Sequence, residues 1–293
     1  MLPSEAVMLP AALKLLELWF QLKATAPLHF PAWKAGNFFR GHFGITLKRL
    51  CCPASCPGPM ECTNRQQCAY ANLFEPVSKD APSGFANPPR PFVFRVEQLN
   101  GRHFQPDDVF PVRMHLFGNV AALPWIEKTL ASFERMELMS MEVVPVTIAL
   151  VGQPCRELAI EFLTPVELKS QQQVLRQPDF PALISRIRDR IGALSLFYGE
   201  GAPPWDYKQI SEKAERVKMV HCDVQTVDVD RQSSRTGQIH GLGGFVGSAR
   251  YEGILDDLLP LLMAAEWTGV GRHTAWGNGA IRLCSRHTST LEY

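Results

Sequence analysis

The predicted elements follow the same order in both halves of this 293-residue chain. Alternating or continuous apolar runs predict strands, and apolar residues three and four apart predict helices. In the first half they give strand, helix, strand, strand, helix and strand at residues 16–25, 37–50, 92–96, 108–116, 123–133 and 141–151. In the second half they give strand, helix, strand, strand, helix and strand at residues 158–163, 180–197, 219–230, 244–253, 254–265 and 279–283.

This repeated order predicts the fold class. Strand, helix, two strands, helix, strand is the order of the ferredoxin-like βαββαβ unit, which many RNA-binding domains share. We therefore predict an α+β protein with tandem ferredoxin-like (RRM-like) βαββαβ domains. The N-terminal domain is placed at residues 1–152, with a cysteine-rich insertion at 51–68, and the C-terminal domain at residues 153–293.

Basic charge is concentrated near the N-terminus, although the net formal charge is only +1. No acidic residue occurs between Leu18 and Met60. The basic residues of this stretch include Lys23, Lys34, Arg40, Lys48 and Arg49. Such a stretch gives one surface a positive potential that phosphate groups would feel. A chance run beside a core or a metal site is the alternative, and charge alone does not separate the two.

The apolar segments are too short for a membrane protein. No run reaches the roughly 18 residues that a membrane-spanning helix needs. Glu5, Lys14 and Glu17 interrupt the apolar N-terminus, which argues against a signal peptide. We therefore expect a cytoplasmic protein with no membrane partner. In that compartment the eight cysteines are expected as reduced thiols or metal ligands rather than disulfides.

The strongest local motif is GVGRHTAWGNG, Gly269–Gly279, directly after an apolar helix. Glycine adopts positive φ and lets the backbone approach a ligand closely, so its N–H groups can face phosphate oxygens. Arg272 and His273 would add charge-assisted hydrogen bonds, and Trp276 a stacking face. A plain tight turn between a helix and a strand, with Trp276 in the core, is the alternative. The Gly-Lys-Ser/Thr triplet of nucleotide triphosphate loops does not occur in the motif.

The surrounding sequence carries a family resemblance. Six segments carry it: SSRTGQIHGLGGFVGSARYEG, then DDLLPLLMAAEWTGVGRHTAWGNG, and also FLTPVELK, ISRIRDRIGALSLFYGEG, FFRGHFGITLKRLCC and CAYANLFEP. Together they resemble the repeat-processing endoribonucleases (Cas-six type) of the CRISPR-associated RAMP superfamily. These segments span nearly the whole chain. Family members commonly carry a second glycine-rich turn near the end of the first domain, but the corresponding stretch here, RMELMSMEVV, has no glycine.

The resemblance implies metal-independent RNA cleavage, in which a 2′-hydroxyl attacks its adjacent phosphate and leaves a 2′,3′-cyclic phosphate and a 5′-hydroxyl. This chemistry needs a base, an acid and cations for the charge that develops on phosphorus. Histidine exchanges protons near neutral pH, so His42 is our first choice for catalysis and His29 our second. Lys48 and Arg40 are the candidate cations. A surface or buried structural role is the alternative for His42.

The expected RNA ligands are cations, a hydroxyl and glycines close to the glycine-rich segments. They are Arg49, Arg231, Ser233, Arg235, Gly269, Gly271, Arg272, His273 and Gly277. Loop arginines are also often simply solvated. Arg186 and Arg190 are four residues apart on a predicted helix, and we expect them on a solvated face.

Five cysteines fall within eighteen residues, and four thiolates can hold Zn²⁺ in a tetrahedral site. The spacing Cys52-x3-Cys56-x5-Cys62-x5-Cys68 is looser than paired Cys-x2-Cys knuckles. We expect these four cysteines to bind a structural zinc ion, with free thiols or an iron–sulfur cluster as alternatives. The remaining isolated cysteines are expected to be packing residues.

Two functions follow from the resemblance. The first is an endoribonuclease that cuts CRISPR repeat RNA and can retain the crRNA product. The second is a non-catalytic RAMP subunit that holds crRNA among other CRISPR effector-complex proteins. A metabolic ferredoxin-like enzyme is a more distant alternative, and no fingerprint of a small-molecule cofactor occurs in the sequence.

Overall fold

Each half of the chain forms a four-stranded antiparallel sheet packed against helices. The computed structural model describes residues 12–58, 61–78, 88–171, 173–232 and 239–284. The first half contains β1 (Ala12–Ala24), β2 (Leu28–His29), α1 (Ala35–Cys51), α2 (Ala69–Phe74), β3 (Phe92–Arg95), β4 (His103–Phe104), β5 (Val109–Leu116), α3 (Leu123–Ala131) and β6 (Met136–Ala149).

Among the described residues, the second half also has a four-stranded sheet and three α-helices, together with two short hairpins. It contains β7 (Glu157–Val166), β8 (Leu168–Ser170), β9 (Gln173–Leu175), α4 (Phe180–Tyr198), α5 (Tyr207–Glu215), β10 (Lys218–Val227), β11 (Asp230–Gln232), β12 (Ile239–Gly241), β13 (Gly244–Glu252), α6 (Leu259–Thr268) and β14 (Ile281–Cys284). Short 3₁₀ turns occur at Arg65–Gln67, Glu97–Leu99, Val120–Ala122 and Thr274–Trp276.

The two large sheets have equivalent strand orders. The first runs β3-β5-β1-β6 and the second β10-β13-β7-β14, with every neighbouring pair antiparallel. In each sheet the first strand of the unit lies between the third and the fourth, which is the arrangement of the βαββαβ unit. The predicted α+β fold with tandem ferredoxin-like units is therefore confirmed.

The first sheet uses its two faces differently because side chains alternate along a strand. Leu18 and Phe20 of β1 are fully buried in a core that includes Phe39 and Phe43 of α1. Burying a side chain of this size stabilises the fold by about 1.5–3 kcal/mol. Leu15, on the opposite face of β1, is buried in the core of the second half. The helix-free face of the first sheet is thus covered at one end by the second half.

Two helices of the second half differ from the prediction. The last helix was expected from residue 254, but α6 begins at Leu259, because Gly253 adopts φ +154° and Pro260 occupies the first turn. Helix α5 was not predicted; its N-terminus is capped by the Asp206 carboxylate, which accepts from the Gln209 amide at 2.9 Å. Among the described residues, every helix is too short or too polar to cross a lipid bilayer.

Candidate functional site

Helix α1 carries three of the four predicted catalytic side chains, and the predicted RNA ligand Arg49, on two flanks of its buried face. His42 and Arg49, two helical turns apart, point toward the turn that follows α3. Arg40 and Lys48 point toward α2 and the glycine-rich loop (Gly269–Gly279). The structure therefore places His42 and Arg49 on one flank of α1 and Arg40 and Lys48 on the other.

The His42 imidazole is exposed, and one of its nitrogens is already engaged. Nδ1 lies 3.0 Å from the carbonyl oxygen of Phe38, and the two rings pack with their centres 4.0 Å apart. Because a carbonyl oxygen can only accept, Nδ1 carries the hydrogen and Nε2 is the nitrogen that can exchange a proton with a substrate. Arg49 is also exposed, and its Nη1 lies 3.8 Å from the Glu134 carboxylate. An exposed pair of this length is weak, so the guanidinium can turn to a phosphate.

His29 lies beside a second histidine that the sequence analysis did not select. Strands β2 and β4 place His29 opposite His103, and the exposed rings stack with 4.0 Å between their centres and 5° between their planes. The next residue, Phe30, packs against Phe38 at 5.1 Å between ring centres. Because His42 rests on the same phenyl ring, the histidine pair and His42 border one aromatic cluster at the start of α1.

Arg40 takes part in packing between the two halves. Its guanidinium carbon lies 3.3 Å from the centre of the Trp276 ring and 5.3 Å from that of Phe74. Trp276 belongs to the glycine-rich loop, and Phe74 ends α2. A guanidinium between two aromatic faces makes cation–π interactions. The geometry therefore assigns Arg40 to the seam between the halves rather than to the His42 flank.

The glycines of the glycine-rich loop permit close packing. At Gly277, φ is +84°, and a Cβ would lie 2.8 Å from the Cα of Gly36 in α1. At Gly271, φ is +77°, and a Cβ would lie 2.6 Å from the Glu167 carbonyl oxygen. Both positions combine a left-handed backbone with contacts too short for any side chain. The loop can therefore fold tightly against both halves only with glycine there.

Two of the glycine amides predicted to face phosphate have partners within the protein. The Gly269 N–H donates to the carbonyl oxygen of Ala265 at 2.8 Å, and the Gly277 N–H donates to that of Thr274 at 3.0 Å. These bonds satisfy the donors that a phosphate would use. The glycines therefore fix the shape of the loop, and the side chains of Arg272 and His273 supply the groups that can bind an anion.

Glu167 orients the side chains of Arg272 and His273 in the loop. This carboxylate is only 8% exposed and lies just after β7. Its Oε1 accepts from Arg272 Nη1 at 2.6 Å, and its Oε2 lies 3.6 Å from His273 Nε2. The Arg272 side chain remains half-exposed, so it retains N–H groups for a further acceptor. Glu167 was not among the predicted residues, because nothing in its local sequence pattern links it to the loop.

Two arginines and one histidine donate hydrogen bonds to the carbonyl oxygens at the end of α6, just before the glycine-rich loop. The carbonyl oxygens of residues 266–268 accept from Arg95, His115 and Arg190, with distances of 2.8 Å for His115 and 2.6 Å for Arg190. Such groups stabilise the orphan carbonyls of a helix C-terminus. Arg190 is half-buried and not on a solvated face as predicted, and desolvation lowers the pKa of its guanidinium to about 9. Arg95 and His115 come from the first half, so the first sheet positions the loop.

The side chains of three expected RNA ligands, Arg231, Ser233 and Arg235, lie outside the part of the chain that the structure describes. Arg231 lies in β11, where its backbone pairs with His240 of β12. Its side chain falls outside the described residues, as do Ser233 and Arg235 entirely. Their roles stay predictions. Lys48 is exposed on α1, with its ammonium 5.8 Å from the centre of the Tyr70 ring.

The cysteine-rich segment brings some of its thiols together. All eight cysteines are free thiols. Burial, reinforced by the neighbouring Cys68 and Cys56 thiols, raises the pKa of Cys52 to about 12. Within the described part of the chain, no group of three or more histidine, cysteine, aspartate or glutamate side chains is arranged to hold a metal ion. Binding zinc through Cys52, Cys56, Cys62 and Cys68 would therefore require the thiols to converge further.

Together these residues form two neighbouring surfaces. One carries His42 and Arg49 with the His29–His103 pair nearby, and it offers proton transfer beside positive charge. The other is the glycine-rich loop, with Arg272 as its exposed cation. The joint between α1 and this loop connects them. In a ribonucleotide chain that contacts both surfaces, the phosphates would lie next to histidine and arginine side chains.

Comparisons with known protein families divide the chain at the same point as its two sheets. Residues 13–153 match a family described as an N-terminal domain. Residues 160–281 match the family of the CRISPR-associated endoribonuclease Cas6. No curated protein sequence matches the chain significantly.

Solved structures with a similar fold include several Cas6 proteins. Thermus thermophilus Cas6 aligns over 94% of this chain and 100% of its own, with 16% identity and a TM-score of 0.57. A Cas6 product complex aligns over 93% and 100%, with 17% identity and a TM-score of 0.55. A partial Cas6-RT-Cas1–Cas2 complex aligns over 97% of this chain and 48% of its own, with 16% identity and a TM-score of 0.61. At these identities the likeness shows the fold.

Proposed function

We propose that this chain, which belongs to the Cas6-type RAMP endoribonucleases that process CRISPR RNA, cuts the repeat RNA by metal-independent transesterification. The 2′-oxygen forms a bond to the adjacent phosphorus, and the bond from phosphorus to the 5′-oxygen breaks. The proton of the 2′-hydroxyl passes to a base, and an acid gives a proton to the leaving oxygen. The products are a 2′,3′-cyclic phosphate and a 5′-hydroxyl.

His42 is the residue to which we assign proton transfer. The observation that supports this role is the hydrogen bond from Nδ1 to Phe38, which leaves Nε2 on an exposed face. A histidine held in one tautomer can serve as base or acid. Arg49, on the same flank, is placed to stabilise the developing charge on the phosphate. His29, stacked on His103, is the candidate for the second proton transfer.

RNA binding is assigned to the glycine-rich loop and to the β11–β12 region. Arg272, oriented by Glu167, is the leading phosphate ligand, with His273 beside it. Arg231, Ser233 and Arg235 remain proposed ligands. Because this surface is the same before and after cleavage, we propose that the crRNA product stays bound. Other CRISPR effector proteins are proposed partners, and the partial Cas6-RT-Cas1–Cas2 complex offers a structural precedent for such assembly.

Incubating the purified chain with its own repeat RNA in excess EDTA tests the mechanism. Cleaved RNA ending in a 2′,3′-cyclic phosphate is the expected product, because no step uses a metal. Cleavage that appears only after Mg²⁺ is added would contradict the mechanism. A gel shift without any cleavage would instead support the non-catalytic RAMP subunit. That second function is favoured by one observation: the turn before β6 is formed by Arg135, at φ +67°, and not by a glycine.

We also propose a structural zinc ion on Cys52, Cys56, Cys62 and Cys68. The grouping of these residues and the contact of Cys52 with the Cys56 and Cys68 thiols support it. Zinc here would tie the loop after α1 to α2 and would not take part in catalysis. Metal analysis of untagged protein should find about one equivalent of zinc. Near-zero zinc together with no iron would exclude the site.

A further inference from the structure

A polar cavity of about 300 Å³ opens on the helix-free face of the first sheet, beside the second half. Its volume lies at the lower end of the range for small-ligand sites. Strands β1, β3 and β5 contribute Glu17, Arg95, Arg113 and His115, and the end of α6 contributes Trp267. Neither the proposed cleavage chemistry nor the glycine-rich loop uses this cavity.

The cavity contains buried hydrogen-bond donors that lack partners. Arg95 is only 3% exposed, and its Nη2 donates to the Glu266 carbonyl oxygen. Its Nε and Nη1 have no hydrogen-bond partner among the described residues. Leaving such donors unsatisfied is costly, since each keeps its desolvation penalty. The site is therefore suited to a ligand with acceptor atoms.

The same cavity contains buried acceptors. Nδ1 of His115 lies 2.8 Å from the Trp267 carbonyl oxygen and so carries the hydrogen, which makes Nε2 of the neutral ring an acceptor. Burial lowers the pKa of His115 and favours that neutral form. Nε2 lies 3.4 Å from Oε1 of Glu17, a carboxylate only 8% exposed. Glu17 accepts one hydrogen bond from the Trp19 side chain, and its carboxylate keeps further acceptor sites that, like Nε2 of His115, can take a donor from another group.

Arg113 also lines the cavity, but it makes no hydrogen bond to the nearby carboxylates of Glu17 and Glu97. Its Nη1 lies 3.8 Å from Glu17, and its Nη2 lies 3.7 Å from Glu97, both longer than a hydrogen bond. The guanidinium also lies 5.1 Å from the centre of the Trp19 ring, and Trp19 is 37% exposed on the same face of β1. An exposed aromatic on the helix-free face of an RRM-like sheet is a platform for a stacked base.

We propose that this cavity binds an unpaired guanine base of the RNA substrate. Guanine presents N1–H and the N2 amine side by side, which match one carboxylate, and the acceptors O6 and N7, which match arginine. Glu17 would accept the two donors, and Arg95 would donate to the acceptor edge. Adenine, cytosine and uracil cannot offer two adjacent donors to one carboxylate. The inference rests on the proposed RNA-processing function and names a base that the first domain recognises.

Isothermal titration of the full chain with GMP, IMP and AMP tests the proposal. IMP differs from GMP only in lacking the N2 amine, so it isolates one of the two bonds to Glu17. We expect GMP to bind about tenfold or more tightly than IMP or AMP. Glu17→Gln replaces one acceptor oxygen with an amide NH2, which can only donate, and it should abolish the preference for GMP over IMP. Glu127→Gln, an exposed change on α3, is the matched control and should leave all three affinities unchanged.

Equal binding of AMP and GMP, no binding of either, or an unchanged preference in Glu17→Gln would each overturn the proposal. Thermal unfolding establishes that the variant is folded. If it is not, Glu17→Asp, which keeps the charge but shortens the reach, should weaken GMP binding instead, and unweakened binding would overturn the proposal. If the chain cleaves RNA in EDTA but shows no preference for GMP, only the guanine-binding proposal is contradicted. If it prefers GMP but does not cleave RNA, only the proposed cleavage mechanism is contradicted.

Discussion

The Arg40 guanidinium of helix α1 lies 3.3 Å from the centre of the Trp276 ring in the glycine-rich loop. This contact joins the two halves of the chain at the point where their proposed RNA-binding surfaces meet. It also explains why Trp276 lies among glycines: Gly277 and Gly36 let the loop approach α1 closely enough for the rings and the guanidinium to stack.

Arg40→Ala should therefore act through the loop and not through proton transfer. Loss of a partly desolvated cation–π contact should lower the free energy of unfolding by about 1–2 kcal/mol. RNA affinity should fall, while the cleavage rate at saturating RNA should stay within a factor of about three. Chemical denaturation, gel shifts and single-turnover cleavage measure the three quantities. Lys48→Ala, an exposed cation on the same flank, should leave stability unchanged. A large drop in the saturated rate for Arg40→Ala would restore Arg40 to the catalytic set.

Gly277→Ala should destabilise the protein by more than about 1 kcal/mol, because it places a side chain at positive φ and against the Gly36 backbone. Gly41→Ala is the matched control, since Gly41 lies within α1 with nothing within 4 Å of its added Cβ. That change should stabilise the protein by about 0.5–1 kcal/mol. Urea denaturation measures both. Equal effects of the two substitutions would mean that the loop does not pack on α1 as described.

His42→Ala should slow single-turnover cleavage about 10²-fold or more, because it removes a proton-transfer group. Binding of repeat RNA should change little. Ile45→Ala, an exposed change one turn further along the same helix, is the control and should cleave at the parent rate. An unchanged rate for His42→Ala would remove the residue from the site. His103→Ala then tests whether the stacked pair orients His29.

Arg272→Ala should weaken RNA binding and reduce the slope of log affinity against log salt by roughly one, because one phosphate contact is lost. Lys208→Ala removes an equal charge from α5, where Lys208 lies 3.8 Å from Glu212, and should leave the slope unchanged. Filter binding at several salt concentrations measures the slope. A slope that is identical for Arg272→Ala and the parent would place Arg272 outside the RNA interface.

The buried His115 should make stability depend on pH. Burial lowers its pKa below the ordinary value of 6.5, with Arg95 adding to this and Glu17 opposing it. The unfolded chain therefore binds a proton more readily, so stability falls as pH drops below about 6.5. His115→Asn keeps a donor for the Trp267 carbonyl oxygen but does not titrate. Between pH 7 and pH 5.5, the parent should lose more unfolding free energy than this variant in urea titrations. Parallel losses would contradict the assignment.

Much of the fold was predictable because it depends on local periodicity. Apolar spacing placed α1 at residues 37–50, and the structure has it at Ala35–Cys51. The repeated order of elements was sufficient for the tandem ferredoxin-like fold, since few sheet topologies connect that order without crossing. The same reasoning fails at α6, where a local turn residue and a proline moved the start of an apolar helix to Leu259.

The candidate site was predictable only in part. The basic stretch and the glycine-rich segment marked α1 and the loop, because composition and backbone freedom are local properties. Tertiary packing alone decided that Arg40 stacks on Trp276, that His29 meets His103, and that Glu167 orients Arg272. Each of these pairs is distant in sequence and is brought together by strand pairing or by the seam between halves. By itself, then, the sequence determined which elements form and where charge and glycine concentrate, while the three-dimensional contacts decided which of those charges face one another.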